Sequence, residues 1–542
     1  MSASSKKKLR NAQEAELLTE KQQAERKEAK KLKALTVTMV LIVAVMVVFA
    51  AATAIYNGVI GSGKLQRGTV AATVGDHEIN AVEFNCFYVD AVSNFYSQIG
   101  SYAALYGLDV SAPLDEQVYD EEEGTTWADY FITTAEENIK SVYAIVDEAN
   151  ANGFTLTEED KKYIDTQMSS MALYAVYYGY SDVDSYLEAM YGTGANEETV
   201  RAYFETCYTA EQYQNSVADA QEYTADDIQA KDDADPNTFS TFSYNSYYLS
   251  ASKFLEGGTT DDEGNTTYSD DEKAASIAAA EEAAKTLTAE DITSIEKLDA
   301  AIAALKINAE ATSAASTPYE NYSYGYIASV IQEWVADESR QAGDLTYLPS
   351  TTTDAEGNET VSGYYVVYFV ERNDNEIPLQ NVRHILFQFQ GGTTDTNGNT
   401  TYSDEEKAAA LEKAEALYEE WKSGDATEDS FAELANKNSA DSDGTDGGLY
   451  TDVYPGQMVT AFNDWCFDEA RQAGDTEIIE TEYGYHIMYY VSATDYTYRE
   501  YMIENTLLNE FLQEWHDALV AEVTVTAGDH KYVPTGMILN NG

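Results

Sequence analysis

One stretch of this chain is written twice. "GGTTDDEGNTTYSDDEKAAS" from Gly257 recurs as "GGTTDTNGNTTYSDEEKAAA" from Gly391, 134 positions on. "QEWVADESRQAGD" from Gln332 returns as "NDWCFDEARQAGD" from Asn463, and "SGYYVVYFV" from Ser362 as "YGYHIMYYV" from Tyr483. Matches in the same order at a domain-sized spacing mean two tandem copies of one fold. Each copy reads as strand, Gly/Asn turn, helix and a final strand. Ser269 with Glu272, and Ser403 with Glu406, have the spacing of a capping box and start a long helix in each copy. In the second copy Leu411, Ala414, Tyr418 and Trp421 give that helix an apolar face. Strands and helices mixed in this way predict an α+β fold class, with domains over 236–376 and 377–495.

The segment ahead of the repeats changes character twice. Residues 1–33 hold ten Lys/Arg against five Asp/Glu, a net of +5, whereas the whole chain carries −63. The uncharged run "ALTVTMVLIVAVMVVFAAATAIY" (34–56) follows. As a helix it would span roughly 35 Å, enough to cross a bilayer. Its basic flank predicts a cytoplasmic N-terminus and a main body outside. The length of the leading segment favours an uncleaved anchor over a cleaved signal peptide. From 57 to 235, helical patterns rich in aromatic residues dominate. "NAVEFNCFYVDAVSNFY" offers Asn80 as a cap, Glu83 three residues on, and Phe84, Phe87, Tyr88, Ala91 and Phe95 on one face. A C-terminal segment (496–542) places Ile503, Leu507, Phe511, Trp515 and Leu519 at helical spacing. It is expected to return to the first helical domain.

Composition excludes some functions. Past residue 33 there are 22 basic and 90 acidic residues, from totals of 32 and 95. A surface of that charge repels nucleic acid. Cys86, Cys207 and Cys466 are too few for a disulfide framework, and no Cys/His cluster suggests zinc. In "DTNGNTT", Gly398 comes fourth after Asp395, not sixth as a calcium loop requires, so a tight turn is expected.

Chemistry concentrates in the second copy. Its strand "NVRHILFQFQ" carries His384 and its last strand "TEYGYHIMYYV" carries His486, two of only five histidines in the chain. Where the second copy has His486, the first has Tyr365, and no histidine lies between His77 and His384. A site kept in one copy and lost from the other gives this pattern.

The second copy resembles the parvulin-type peptidyl-prolyl isomerases through "VRHIL", "FAELANKNSADSDGTDGG", "PGQMVTAFNDWCF" and "TEYGYHIMYYV". The resemblance implies a paired-histidine site at His384 and His486, with Asp441 as the acidic member and Thr481 nearby. It implies a proline pocket of Leu449, Met458 and Phe462. It needs no metal and no cofactor. One departure is Tyr450 in "GGLYTDVY", where the family has a further Gly. There is also no basic phosphate-binding patch, since no Lys or Arg follows His384 until Lys407. The wider layout resembles extracytoplasmic foldases of the PrsA/SurA type, and "AATVGDHEINAVEF" (71–84) resembles the start of their chaperone domain. That resemblance implies a helical chaperone domain (57–235, completed by 496–542), a degenerate first parvulin-like domain and an isomerase domain. The implied partners are unfolded exported polypeptides containing X-Pro bonds, and the membrane through one helix. A homodimer is compatible with this layout. A non-catalytic holdase, with the parvulin domains as scaffold, is the alternative.

Overall fold

The computed structural model describes residues 63–539, apart from 263, 308–309, 312–313, 354–356, 396–397 and 442–443. The chain divides into two units, one made of 63–222 with 506–539 and the other of Tyr223–Asn505.

After a single helical turn (Lys64–Arg67), the first unit forms a hairpin of β1 (Val70–Val74) and β2 (His77–Asn80), joined antiparallel. Five helices follow: α1 (Ala81–Ile99), α2 (Trp127–Ala151), α3 (Glu158–Tyr177), α4 (Val183–Tyr191) and α5 (Glu197–Asp219). Asn80 caps α1 by accepting from the N–H groups of Val82 and Glu83. Glu83 does not complete a capping box, because its carboxylate accepts the Tyr143 hydroxyl. Phe84, Phe87, Tyr88 and Ala91 are buried as expected, with Phe95 packed beside them. Each fully buried aromatic of this kind contributes about 1.5–3 kcal/mol by leaving water. Trp515 and Leu519 pack on Ile145, Ala149 and Tyr213, and the strand Val525–Ala527 pairs antiparallel with β1. The end of the chain thus completes the sheet that the unit's start opens.

The second unit contains both sequence repeats, and the two sheets have one plan. In the first, β3 (Thr241–Ser250), β4 (Thr317–Ser323), β5 (Leu345–Thr353) and β6 (Glu359–Asn373) line up in the order β4-β3-β6-β5. In the second, β7 (Pro378–Gln388), β8 (Leu449–Val453), β9 (Thr476–Glu480) and β10 (Gly484–Thr497) line up as β8-β7-β10-β9. All these pairings are antiparallel. The long helices α6 (Asp270–Leu287) and α7 (Asp404–Ser423) both start at the expected capping boxes. In each, the glutamate's second oxygen also accepts a glycine N–H at 2.8 Å, Gly258 for Glu272 and Gly392 for Glu406. The box therefore ties the preceding Gly-Gly turn to the helix start. The buried face of α7 is Ala410, Ala414, Leu417 and Trp421. Leu411 and Tyr418 stand at its edge, so the helix is rotated slightly from the expected face.

The fold class needs one correction. It is a mixed α+β architecture, but no described helix is long and apolar enough to cross a membrane. The physical reason is polarity: even α1, which buries most of its residues, carries Glu83, Asn85, Asp90, Asn94 and Gln98 in its span. The apolar run 34–56 lies outside the described residues.

Candidate active site

Strand alternation divides the second sheet into two faces. Arg383, Ile385 and Phe387 of β7, with Tyr485, Ile487 and Tyr489 of β10, occupy one face. There Ile385 and Ile487 pack against Ala414 and Trp421 of α7 and against Phe431 and Ala435 of α8 (Glu428–Asn438). The other face carries Val382 and His384 of β7, opposite Tyr490 and Met488, and His486 one pair further along. It is covered by Phe462, Trp465 and Cys466 of α9 (Thr460–Cys466), with Met458 and Tyr450 at its margin.

The loop after α8 closes on the free edge of β7. Leu386 donates its N–H to Ser439 Oγ at 3.0 Å, Ala440 returns its own to the Leu386 carbonyl at 2.9 Å, and His384 N–H reaches the Gly448 carbonyl at 2.9 Å. Arg383 holds the loop from the far face, donating to Glu428 at 2.9 Å and to the carbonyls of Asp446 and Gly447. The Gly-Gly turn is obligatory here. Gly448 has φ +65°, and a Cβ on it would lie 2.2 Å from the His384 carbonyl oxygen. These contacts bring Asp441 beside His384.

The result is a continuous polar chain. His384 and His486 are buried and face each other through their Nδ1 atoms at 2.9 Å. His486 Nε2 meets Thr481 Oγ1 at 2.9 Å, and Thr481 Oγ1 also accepts the Tyr483 N–H at 3.2 Å. At the other end His384 Nε2 faces Asp441 Oδ2 at 3.4 Å, a contact too long for a strong hydrogen bond. The Asp441 carboxyl is held below its ordinary range, chiefly by the adjoining His384 imidazole, with partial burial working against it and the Tyr450 hydroxyl adding to it. His486 is pushed down to about 3, first by burial and then by His384, so it is neutral at physiological pH.

A carboxylate only accepts, so the His384 tautomer that serves Asp441 carries its proton on Nε2 and offers a lone pair at Nδ1, and this tautomer gives the chain one direction. His486 Nδ1–H fills that lone pair, and His486 Nε2 in turn accepts from the Thr481 hydroxyl. All donors then point toward Asp441. Phe462 stands edge-on to both imidazoles, 5.4 Å from His384 and 5.6 Å from His486 between ring centres. Met458 is half-buried against the same cluster.

Leu449 is placed differently from the expected pocket. Its register partner is Arg383, which puts it on the helix-covered face, whereas Tyr450 pairs with Val382 and shares the histidines' face. Tyr450 donates to Asp441 Oδ2 at 2.9 Å and stacks on His384 with ring centres 4.9 Å apart. In the sequence it stands out only as a departure from the family pattern. It shares its face with Val453, three residues on, only because the register slips between them, so no alternation in the sequence marks it as a site residue.

The first repeat lacks this chain. Its register sets Val367 against Ser246 where the second repeat sets Met488 against His384. Tyr365 stands where His486 would, tilted against Tyr248 with ring centres 4.8 Å apart.

Residues 384–492 match the Rotamase family model, described as the PPIC-type PPIASE domain. Two curated foldase proteins PrsA, from Staphylococcus epidermidis strains ATCC 35984 and ATCC 12228, are each 31% identical to this chain over 149 residues, 27% of it. The match spans 42% of those relatives' length. A solved structure of peptidylprolyl isomerase (PrsA) from Bacillus cereus aligns over 28% of this chain and 50% of its own, at 22% identity and a TM-score of 0.17. The family model and the foldase relatives support peptidyl-prolyl isomerase chemistry for this domain.

Proposed function

We propose that this chain is a folding catalyst for exported polypeptides, acting outside the cytoplasm, and that its second repeat accelerates cis/trans rotation about X-Pro bonds. The observation that carries the reading is the chain Thr481–His486–His384–Asp441, buried but for Asp441 and set beside Phe462 and Met458 within the matched segment.

Rotation about a prolyl bond is slow because resonance must be broken, a barrier of about 18–20 kcal/mol. A thousandfold acceleration needs only about 4 kcal/mol of it removed. Phe462 and Met458 supply an apolar surface for the proline ring. A planar amide is more polar than a twisted one. Replacing its water by apolar rings and the neutral His486 imidazole therefore disfavours the planar form. The Asp441 carboxylate acts on the charge that redistributes as resonance is lost. No bond to the protein forms and no proton needs to leave the chain.

The first repeat has the same sheet with Ser246 and Tyr365 in place of the histidines, and we assign it to client binding or scaffolding. This also supports the second reading, a holdase that uses both repeats as scaffold. Refolding of a protein whose slow phase is limited by a trans-to-cis prolyl bond separates the two. An isomerase shortens the slow phase at substoichiometric concentrations of the full chain. A holdase changes only the yield, and that result would refute catalysis.

A further inference from the structure

On the basis of the isomerase reading, we infer that Tyr450 is a positioning residue for the reaction: its hydroxyl tethers the Asp441 carboxylate and its ring clamps the His384 imidazole. Asp441 sits on a loop with its side chain about half exposed (48%), whereas His384 is 2% exposed. The carboxylate must therefore be held against a buried partner from the solvent side. The 3.4 Å contact with His384 is too long to do that alone. Tyr450 donates to the same oxygen, Oδ2, at 2.9 Å. The Tyr450 hydroxyl is the hydrogen-bond donor that fixes where this oxygen points, and a phenol on a carboxylate makes a charge-assisted bond.

The ring contributes a second restraint. It stacks on His384 at 26° and stands edge-on to Phe462 with centres 6.3 Å apart. His384 is thereby held between Tyr450 and Phe462, with His486 stacked 5.1 Å away. The small residue expected at this position could provide neither restraint. The first repeat supplies an internal comparison. Tyr319 pairs with Tyr244 in the same register and stacks on it at 4.8 Å, so the ring recurs where no histidine is present. What is particular to the second repeat is the carboxylate that Tyr450 reaches.

The titratable groups facing Asp441 are His384, Tyr450 and His486. Removing the phenol leaves the two imidazoles and takes away a donor that favours the ionised carboxylate.

The test is Tyr450→Phe in the full chain, which keeps the ring and deletes the hydroxyl, with Asp441→Asn and the double variant alongside. Isomerisation of a short X-Pro peptide is followed across pH. We expect kcat/KM to fall roughly 3- to 10-fold with KM nearly unchanged. The acid limb of the profile should move to higher pH, and the double variant should be no slower than Asp441→Asn. Wild-type kcat/KM and an unmoved acid limb in Tyr450→Phe would overturn the inference, as would losses that multiply in the double variant. A wild-type chain without acceleration is a separate result, which overturns the isomerase reading itself and this role with it.

Discussion

Replacing Thr481 by valine keeps the shape of the side chain and deletes only the hydroxyl at the end of the polar chain. That hydroxyl lies 2.9 Å from His486 Nε2, accepts the Tyr483 N–H at 3.2 Å, and has the Gly484 carbonyl at 3.3 Å. Thr481 is 8% exposed and His486 4%, so water cannot readily replace it. Leaving a buried nitrogen without a partner costs about 1–3 kcal/mol in stability. The catalytic effect has another origin. With its Nε2 unpaired, His486 is no longer held as the Nδ1–H tautomer, and two lone pairs or two protons can meet at the 2.9 Å contact with His384. A loss of about 1–2 kcal/mol in transition-state stabilisation corresponds to roughly 5- to 30-fold in kcat/KM. Exchange NMR on an X-Pro tetrapeptide reads the rate, and thermal unfolding of the same samples reads stability. Thr481→Ser should recover both. Full activity in Thr481→Val, or equal loss in Thr481→Ser, would refute the directional chain.

Two further outcomes concern stability. Gly448→Ala should destabilise the second repeat by about 2–4 kcal/mol, since φ is +65° and the new Cβ would meet the His384 carbonyl at 2.2 Å; a thermal transition unchanged from wild type would contradict the turn as described. Asp90 is half-buried and accepts the Tyr203 hydroxyl, and burial raises it from 3.8 to about 6. The folded state thus holds the proton more tightly than the unfolded one, so this group's contribution is most favourable below pH 4 and is lost as pH rises to about 6. Asp90→Asn, which can still accept from Tyr203, should gain up to about 3 kcal/mol over wild type at pH 7.5 and little at pH 4; a difference independent of pH would contradict this.

Local signals in the sequence carried the furthest. Both repeat helices start at Ser269 and Ser403 because a capping box is specified within four residues. The histidine pair was legible through alternation along two strands, sharpened by a second copy without histidines. Features set by tertiary register were not. Leu449 and Tyr450 differ by one position, and a one-residue slip exchanges the faces of a strand. Which of them faces the histidines depends on the bond from His384 N–H to the Gly448 carbonyl, which no local pattern reveals. The rotation of α7 toward Ala410 and Leu417 is likewise decided by packing against Ile385 and Ile487. The apolar run 34–56 meets the length rule for a membrane helix and lies outside the described residues, among which no helix is long and apolar enough to cross a membrane.

The most direct measurement is cis/trans exchange in short X-Pro peptides, observed by NMR with the full chain, His384→Ala and Tyr365→Phe. The two changes address corresponding sheet faces in the two repeats. The account predicts acceleration by the wild type, a loss of at least roughly tenfold in His384→Ala, and no change in Tyr365→Phe. Equal rates in wild type and His384→Ala would contradict it, and would place any isomerase activity away from the His384–His486 pair.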